Sequence, residues 1–533
     1  MKKFFSALLS LCLLIGACVM GAFQGIEMNT ASAASLTETA AEIIVEPQGY
    51  SATERLWQGI PGVEVTKGGR LWVSYFTGGE KEPSTENCVA FAYSDDDGRT
   101  WNDPFFIIEH PSDGARTYDP CVWLDPLGRM WFTWCQARGS YSDLKNWAIV
   151  LENPDATATE MKTALEKMTP RLLGDGVKLN KMTVLNNGDW LFFTASSTPT
   201  AITVWASTDC GATWSVRSLM SGNGYRVTEP MAVQLADGKI MLMTRIEKVD
   251  GILMGGGIGC SISSDNGKTW SDYQADLPKP LRGPSSRFAL VKLQSGNLLF
   301  VNNDSETGRT KMTAYLSTDN GESWQYSCLL DERTEVSYPC VAQDKDGNIY
   351  VTYDKGRYIE KEIRITKFTE QDIMNGKITS EGSVVRMAVS ILGDQKDIES
   401  VSTEFTKAIT VEHGTLLSTA RKDLPTTIKV KDKDGNEYTL SGKWGTEDYD
   451  AEKAGTYTLT FSATTDMLRY KLFDAHNLLQ VTVTVKGNGS GDGGDSGCAG
   501  SISAGAIGGG LLLAGAIILT RKNKNKNSKE DKR

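Results

Sequence analysis

Six aligned positions of the sequence carry an unusual set of side chains for the start of a buried strand. Each stands nine residues before the glycine of a short turn, and they are Ile60, Asp119, Leu179, Glu229, Arg287 and Tyr338. A purely structural strand would carry apolar residues here, yet four of the six are ionisable or phenolic. Together with Arg245, they offer acid, base, phenol and guanidinium groups. We therefore expect a chemical site where these positions meet.

The turns that define this alignment repeat along the chain. Each turn lies between two apolar segments, and the turn glycines are Gly69, Gly128, Gly188, Gly238, Gly296 and Gly347. Each repeat is too short for an independent domain but suits one four-stranded sheet, and such sheets pack radially in β-propellers. The sequence therefore predicts an all-β fold with a six-bladed propeller.

A second repeated pattern supports the same architecture. Boxes of the form Ser-x-Asp-x-Gly-x-Thr/Ser-Trp begin at Ser94, Ser207, Ser263 and Ser317, with successive starts 113, 56 and 54 residues apart. Ser and Asp side chains can close a hairpin by bonding to its backbone while the Trp packs into the sheet. We expect these boxes to be structural and not to take part in the chemistry.

Proline marks four of the six strand starts. It stands eight residues before the turn glycine, at Pro61, Pro120, Pro230 and Pro339. Proline fixes φ and has no N–H to give to a ladder, so it belongs where a strand begins. The residue before each proline should therefore lie at the mouth of an innermost strand, facing the central funnel.

Composition narrows the range of functions. Lys and Arg total 56 against 66 Asp and Glu, a formal net charge of −10, so no basic excess is available to bind a phosphate backbone. Only three His are present, too few for most multi-histidine metal sites. We expect no nucleic-acid partner, no metal and no other cofactor.

Both ends of the chain carry membrane-targeting patterns. Residues 1–33 combine two lysines, an apolar run and an Ala-Ser-Ala sequence typical of a signal peptide, with lipidation at Cys18 as the alternative. Residues 487–497 form a Gly/Ser/Asp linker, 498–520 an uncharged transmembrane helix and 521–533 a basic cytoplasmic tail. We expect a bacterial cell-surface protein, anchored in the cytoplasmic membrane by its C-terminal helix.

The region 399–486 differs in character from the repeats before it. Segments such as 427–431 and 481–485 alternate between apolar and polar residues, which predicts the strands of a small β-sandwich. This region resembles bacterial immunoglobulin-like modules. The resemblance implies a spacer, with glycan binding as the alternative.

Residues 50–375 resemble the exo-sialidase (neuraminidase) family of Asp-box, or BNR-repeat, glycosidases. The matching features beside the boxes are Gly59-Ile60-Pro61, Thr228-Glu229-Pro230 leading to Arg245, the segment 304–309, and Ser337-Tyr338-Pro339. The resemblance implies a six-bladed propeller with a retaining glycosidase site.

The resemblance also implies a role for each matching residue. Tyr338 is the nucleophile, because a neutral phenol is not repelled by the carboxylate on the anomeric carbon of a sialic acid. Glu229 draws off the phenolic proton. Arg245 and Arg309 match two of the three arginines that bind the substrate carboxylate.

The sequence departs from the family pattern at two places. Gly59 stands where the family has its first arginine, and Arg55 is our candidate to reach the site instead. The acid/base Asp of the family has no clear counterpart in the loop 78–86, so we assign the proton donor to Asp119, with Glu82 or Glu86 as alternatives. Arg287 either contacts substrate or balances nearby acids.

These expectations combine into one hypothesis with two rivals. The hypothesis is a surface-anchored, monomeric exo-α-sialidase-like hydrolase that removes terminal sialic acid, or a related acidic sugar, from glycans. One rival is a non-catalytic glycan-binding propeller, a lectin or adhesin using the same rim. The other is a propeller glycosidase of different sugar specificity.

Overall fold

The computed structural model describes residues 39–487 with short internal gaps. These gaps are 110–114, 139–141, 197–199, 250–251, 254–256, 276–279, 394, 433–434, 447–448, 464–468 and 473–478. The predicted signal peptide, transmembrane helix and basic tail lie outside the described residues, as does the predicted linker apart from Gly487. Within the described part, no helix is long and apolar enough to span a bilayer.

The first half of the described chain forms three antiparallel sheets. The first, in the order β1-β5-β4-β3-β2, consists of β1 (Ile43–Val45), β2 (Trp57–Val65), β3 (Leu71–Gly78), β4 (Cys88–Ser94) and β5 (Asn102–Ile108). The second consists of β6 (Ala115–Leu124), β7 (Met130–Arg138), β8 (Ser142–Leu151) and β9 (Arg171–Asp175), with helix α1 (Ala158–Leu165) before its last strand. The third consists of β10 (Thr183–Val184), β11 (Trp190–Ala195), β12 (Ala201–Ser207) and β13 (Ser215–Ser221).

Three further antiparallel sheets follow. The fourth consists of β14 (Val227–Gln234), β15 (Ile240–Ile246) and β18 (Ile258–Ser263), with a separate hairpin of β16 (Lys248–Val249) and β17 (Ile252–Leu253). The fifth consists of β19 (Ala289–Lys292), β20 (Leu298–Asn303), β21 (Thr310–Ser317) and β22 (Tyr326–Thr334). The sixth consists of β23 (Val336–Gln343), β24 (Ile349–Lys355), β25 (Glu362–Phe368) and β26 (Val384–Ile391), with helix α2 (Glu370–Met374).

The sheets are joined through their innermost strands, β2, β6, β10, β14, β19 and β23. Strand β2 contacts β6 of the second sheet and β23 of the sixth, while β14 contacts both β10 and β19. The first and last sheets are therefore neighbours although they are far apart in sequence. This all-β arrangement of successive sheets fits a β-propeller, in which first strands surround the axis.

The turns and boxes have the predicted structural roles. Each of the six turn glycines connects the innermost strand of a sheet to the next strand. Their φ values lie between +86° and +95°, where a residue with a side chain would be strained. In the first box, the Ser94 hydroxyl donates to Asp96 Oδ1 (2.8 Å) and accepts from the Gly98 N–H (3.0 Å). Asp96 Oδ1 also accepts from the Thr100 N–H (2.8 Å), which closes the hairpin.

Aromatic packing joins the first two sheets beneath the propeller surface. Phe91 and Phe106 stack at 4.6 Å, and Trp72 meets Phe132 of the second sheet edge-on at 5.0 Å. All four rings are fully buried. Each buries about 150–250 Å² of apolar surface, enough to hold the two sheets as a rigid frame.

The last described region forms a further β-structure with its own core. Its strands are β27 (Gln395–Val401), β28 (Ala408–Val411), β29 (Thr427–Asp432), β30 (Glu437–Gly445), β31 (Gly455–Ala463), β32 (Arg469–Leu472) and β33 (Gln480–Val485), with helix α3 (Leu417–Ala420). Buried and non-buried residues alternate along β29 and β33, as the sequence predicts. Trp444 packs in this core with Phe461, at 5.3 Å between ring centroids.

Candidate active site

A cavity of about 500 Å³ opens at the start of the innermost strands. Its lining includes most of the residues singled out from the sequence, together with others such as Arg357 that were not. The charged and phenolic residues discussed below are Glu82, Asp119, Glu229, Arg245, Arg309, Tyr338 and Arg357. These residues come from five different sheets or the loops that follow their strands. The cavity has the volume of a small-molecule site with several convergent charged groups.

An unusual backbone conformation aims side chains from four strands into this cavity. Ile60, Asp119, Glu229 and Tyr338 each precede a proline and have φ of 59°, 49°, 51° and 57°, in the left-handed region. The ladder register shifts at every one of these positions. Residues before proline normally adopt extended conformations, and non-glycine residues rarely have positive φ, so this is stored strain of the kind found at functional sites.

The bulge explains why these four residues share the cavity. The prediction that each proline marks the beginning of a strand is wrong, because each lies three to five residues after the first residue of its strand. Proline cannot continue the ladder, so an unpaired residue turns its side chain away from the sheet. All four line the cavity. Leu179 and Arg287 occupy the aligned positions in the two sheets that lack the proline, and neither lines it.

Tyr338 and Glu229 form a direct hydrogen bond at the centre of the site. The Tyr338 hydroxyl donates to Glu229 Oε1 at 2.6 Å. Arg245 Nη1 lies 2.8 Å from both the same carboxylate oxygen and the phenolic oxygen, and it donates to each. Burial raises the pKa of the Tyr338 phenol, with Arg245 opposing the shift. The phenol therefore stays protonated unless Glu229 takes its proton.

Four arginines lie around the Tyr338 phenol: Arg287, whose guanidinium carbon is 5.5 Å from the ring centre, and three that line the cavity. Beside the bond from Arg245, the guanidinium carbons of Arg309 and Arg357 lie 5.1 Å and 4.1 Å from the centre of the Tyr338 ring. Burial opposes the charge of Arg245, but Glu229 and Tyr338 outweigh it and raise the pKa of this guanidinium. Guanidinium groups thus lie on several sides of this phenol.

Asp119 is a carboxyl group poised to hold a proton. It is 9% exposed, and burial, followed by the nearby Glu82 carboxylate, raises its pKa from 3.8 to about 7. Of the two alternatives in the preceding loop, Glu82 lines the cavity and Glu86 does not; Glu86 is exposed. Asp119 and Glu82 thus lie within electrostatic reach of each other, and repulsion from Glu82 adds to burial in favouring the protonated form of Asp119.

The structure does not bring Arg55 to the cavity. Its side chain is buried, and Nη2 donates to Asp103 Oδ2 and to Ser390 Oγ, both at 3.1 Å. The expectation that Arg55 replaces the missing arginine is therefore not met: four residues upstream of Gly59, the chain has not yet reached the strand mouth, and Asp103 holds the charge elsewhere.

Arg287 lies beneath the site. Its Nη2 donates to the backbone carbonyls of Pro61 (2.6 Å), Pro339 (3.0 Å) and Tyr338 (3.2 Å). It is 1% exposed. Arg287 therefore satisfies backbone acceptors that the bulges of the first and sixth sheets release, and it supports the site from below without contacting the cavity.

Arg357 is a cavity residue that the repeat alignment missed. It follows β24 in a loop outside the aligned hairpins, and its Nε donates to Asp354 Oδ2 at 2.8 Å. Asp354 stands seven residues after the turn glycine Gly347, as Arg245 does after Gly238, and it is fully buried. A buried carboxylate needs a cation, so Asp354 was the signal that could have revealed Arg357. Within the described part of the chain, no cluster of three His, Cys, Asp or Glu is placed to hold a metal ion.

Comparisons with known proteins identify a family and several similar proteins. The sequence profile of the BNR repeat-like domain family matches residues 69–351. A sialidase of Bacteroides fragilis (strain YCH46) is 22% identical over 294 residues, which cover 54% of this chain and 42% of that protein. A sialidase of Micromonospora viridifaciens is 27% identical over 157 residues, which cover 28% of this chain and 23% of that protein. The matched part thus spans less than half the length of either relative.

Solved structures of similar fold include further sialidases. The Hadza microbial sialidase Hz136 is 20% identical, with 57% of this chain and 64% of that chain covered and a TM-score of 0.47. The leech intramolecular trans-sialidase is 14% identical, with 65% of this chain and 72% of that chain covered and a TM-score of 0.49.

Proposed function

This chain belongs to the family of BNR repeat-like domains, and from that premise we propose that its cavity is the active site of a retaining, sialidase-like exo-glycosidase. The observation that carries the proposal is the hydrogen-bonded set of Tyr338, Glu229 and Arg245. A phenol that donates to a carboxylate beside a guanidinium is an activated nucleophile. The sialidase names of the relatives support the same activity.

The first half of the reaction forms a covalent intermediate. Tyr338 Oη attacks the anomeric carbon while its proton passes to Glu229 Oε1. The bond from the anomeric carbon to the leaving oxygen breaks, and that oxygen takes the proton of Asp119. Arg245 stabilises the negative charge that develops on the phenolic oxygen.

The second half releases the sugar with its original stereochemistry. Water attacks the anomeric carbon and gives a proton to Asp119, while the phenolic oxygen leaves and recovers its proton from Glu229. Two displacements at one carbon retain the anomeric configuration. A pKa of about 7 suits Asp119 to act as acid and then as base near neutral pH.

The arginines beside the nucleophile favour an acidic sugar. Arg245 and Arg309 flank the nucleophile, so a carboxylate on the anomeric carbon would meet guanidinium groups at the place of reaction. An anionic carboxylate nucleophile would be repelled by that substrate, whereas Tyr338 attacks as a neutral phenol. We infer that the substrate carries terminal sialic acid or a related acidic sugar.

The test compares an acidic and a neutral sugar with the same leaving group. We expect the purified protein to cleave an aryl α-sialoside with retention, and with a higher kcat/KM than a neutral aryl glycoside. Each charge-assisted hydrogen bond contributes roughly 1.5–3 kcal/mol, about ten- to a hundredfold, so Arg245→Ala should remove most of this preference. Binding without hydrolysis would identify a lectin, and preference for the neutral sugar would assign the arginines to another role.

The remaining organisation of the chain is also a proposal. The six successive sheets serve as six blades, and 399–486 is an immunoglobulin-like spacer. The segment 498–520 spans the cytoplasmic membrane, so the monomeric enzyme works at the bacterial surface. Removing 497–533 should release folded enzyme into the medium after cleavage of the signal within 1–33. Retention of that truncated protein in the membrane fraction would instead support lipidation at Cys18.

A further inference from the structure

Gly59 and Arg357 compete for one space beside the nucleophile. A Cβ atom added to Gly59 would lie 2.9 Å from both Cδ and Nε of Arg357 and 3.2 Å from its Cγ. Real Cβ atoms do not approach other heavy atoms this closely, so any side chain at position 59 would have to displace Arg357. The backbone of Gly59 does not have a positive φ, so its conformation would accept another residue. The close contact with Arg357 is what favours glycine at this position.

The side chain that fills this space is held in place from one side. Asp354 Oδ2 accepts from Arg357 Nε (2.8 Å) and from the Ile60 N–H (2.8 Å), and Asp354 Oδ1 accepts from the Ser337 hydroxyl (2.5 Å). Asp354 therefore ties the arginine to the two residues next to the bulges of the first and sixth sheets. Such a fixed guanidinium loses little conformational freedom when it binds an anion.

The other side of the same guanidinium has capacity left for a ligand. Nη1 of Arg357 lies 3.5 Å from Glu82, a long contact, and Nη2 is buried without any hydrogen-bond partner. Arg357 is 9% exposed and lines the cavity. A buried N–H donor without a partner costs free energy, and an oxygen of a bound anion would satisfy it.

We propose that Arg357 is a third carboxylate-binding arginine of the site, acting with Arg245 and Arg309, and that glycine at position 59 is what admits it. This inference rests on the proposed function, because it assumes that an acidic sugar binds at Tyr338. Gly59 of the first sheet thus leaves the space, and Arg357 in the loop after β24 supplies the positive charge.

Binding measurements test this pairing without relying on turnover. The probes are 2-deoxy-2,3-didehydro-N-acetylneuraminic acid and its methyl ester, titrated by calorimetry into the intact protein. Wild type should prefer the acid, and Arg357→Ala should weaken acid binding by about ten- to a hundredfold while leaving ester binding nearly unchanged. Arg357→Lys, which keeps the charge without the planar fork, should recover part of the loss.

The competition for space gives a second, independent readout. Gly59→Ala adds one methyl group and no charge, yet it should weaken acid binding because it displaces the Arg357 guanidinium. Gly59→Arg alone should create a clash, whereas Gly59→Arg combined with Arg357→Ala opens the space and should bind the acid more tightly than Arg357→Ala alone. Arg217→Ala is the matched control, because Arg217 pairs with Asp189 away from the cavity.

The outcomes separate this inference from the function on which it rests. If wild type binds acid and ester equally, both fail. If Arg245→Ala abolishes the preference for the acid while Arg357→Ala and Gly59→Ala preserve it, the acidic site stands and the role of Arg357 is overturned. Should Arg357→Ala fail to fold, Gly59→Ala decides the matter, since it retains Arg357 and Asp354.

Discussion

Two kinds of innermost strand differ at the position nine residues before the turn glycine. Strands β2, β6, β14 and β23 contain a proline after a residue of positive φ, and that residue lines the cavity. Strands β10 and β19 follow aligned positions without proline, Leu179 and Arg287, which are buried outside the cavity. The repeat therefore has six equivalent positions, and the four that carry a proline bulge are the four that line the cavity.

At the two positions without proline, Leu179 and Arg287, the buried side chains support the fold. Leu179 packs in the same apolar cluster as Ile60, and Arg287 donates hydrogen bonds to the backbone carbonyls of Pro61 and Pro339. Three of the four strained positions carry an acid or a phenol and the fourth carries Ile60, so strain goes with facing the cavity, while the two relaxed positions carry packing and support. Substitutions at the two kinds of position should accordingly change different quantities.

The largest effect is expected for Tyr338→Phe. This change removes the attacking oxygen and keeps the ring, so kcat should fall by roughly three to six orders of magnitude while substrate binding is largely retained. The measurement is kcat and KM for an aryl sialoside. Tyr350→Phe is the control, since its hydroxyl bonds Asp97 at 2.6 Å away from the cavity. Normal turnover in Tyr338→Phe would remove Tyr338 from the reaction.

A smaller loss is expected for Asp119→Asn, and it should depend on the leaving group. Losing a general acid costs about 10²–10⁴-fold, most for a poor leaving group that needs its proton. Wild-type cleavage of a sugar–sugar linkage should decline as pH rises through about 7, because Asp119 must be protonated. The variant should lose that limb, and equal losses for nitrophenyl and sugar leaving groups would argue against this role.

The same residue should shape stability against pH. Its pKa is raised from 3.8 to about 7 on folding, so between these values the folded chain holds a proton that the unfolded chain has released. Folding free energy should therefore become less favourable as pH rises across this window. Denaturant titrations of Asp119→Asn should show a flatter dependence than wild type, and identical curves would contradict the shifted pKa.

The smallest effect on turnover is expected at a position without the bulge. Leu179→Ala should destabilise the fold by about 2–5 kcal/mol through lost burial and a cavity. Turnover by the protein that remains folded should stay close to wild type, because Leu179 does not line the site. Thermal unfolding and kcat measured together check this. A large drop in kcat with unchanged stability would erase the contrast between the two kinds of strand.

Much of the site could be predicted from sequence because it follows the repeat. Alignment on the turn glycines located Asp119, Glu229 and Tyr338, and the second strand of the same hairpin located Arg245, which the structure joins to Glu229 and Tyr338. The positive φ at the bulges was not predicted, because proline normally favours an extended residue before it.

The remaining arginine could not be found in the same way. Arg357 lies in a loop that belongs to no repeat, and its relation to Gly59 appears only when the first and sixth sheets meet. The prediction for Arg55 failed for a related reason. Arg55 is near Gly59 in sequence, but its side chain bonds Asp103 and Ser390 and does not reach the cavity. Loops near a site do not follow the repeat, so a periodic pattern in the sequence cannot locate their residues.

The most direct test of the central claim is to trap the glycosyl-enzyme. An acidic aryl glycoside with fluorine beside the anomeric carbon slows breakdown of the covalent intermediate, and mass spectrometry of the digested protein locates the added sugar. A retaining reaction at Tyr338 predicts one glycosyl unit on the peptide that contains Tyr338, and none in Tyr338→Phe. An adduct on Asp119 or Glu229, or turnover of the reagent with inverted product, would contradict it.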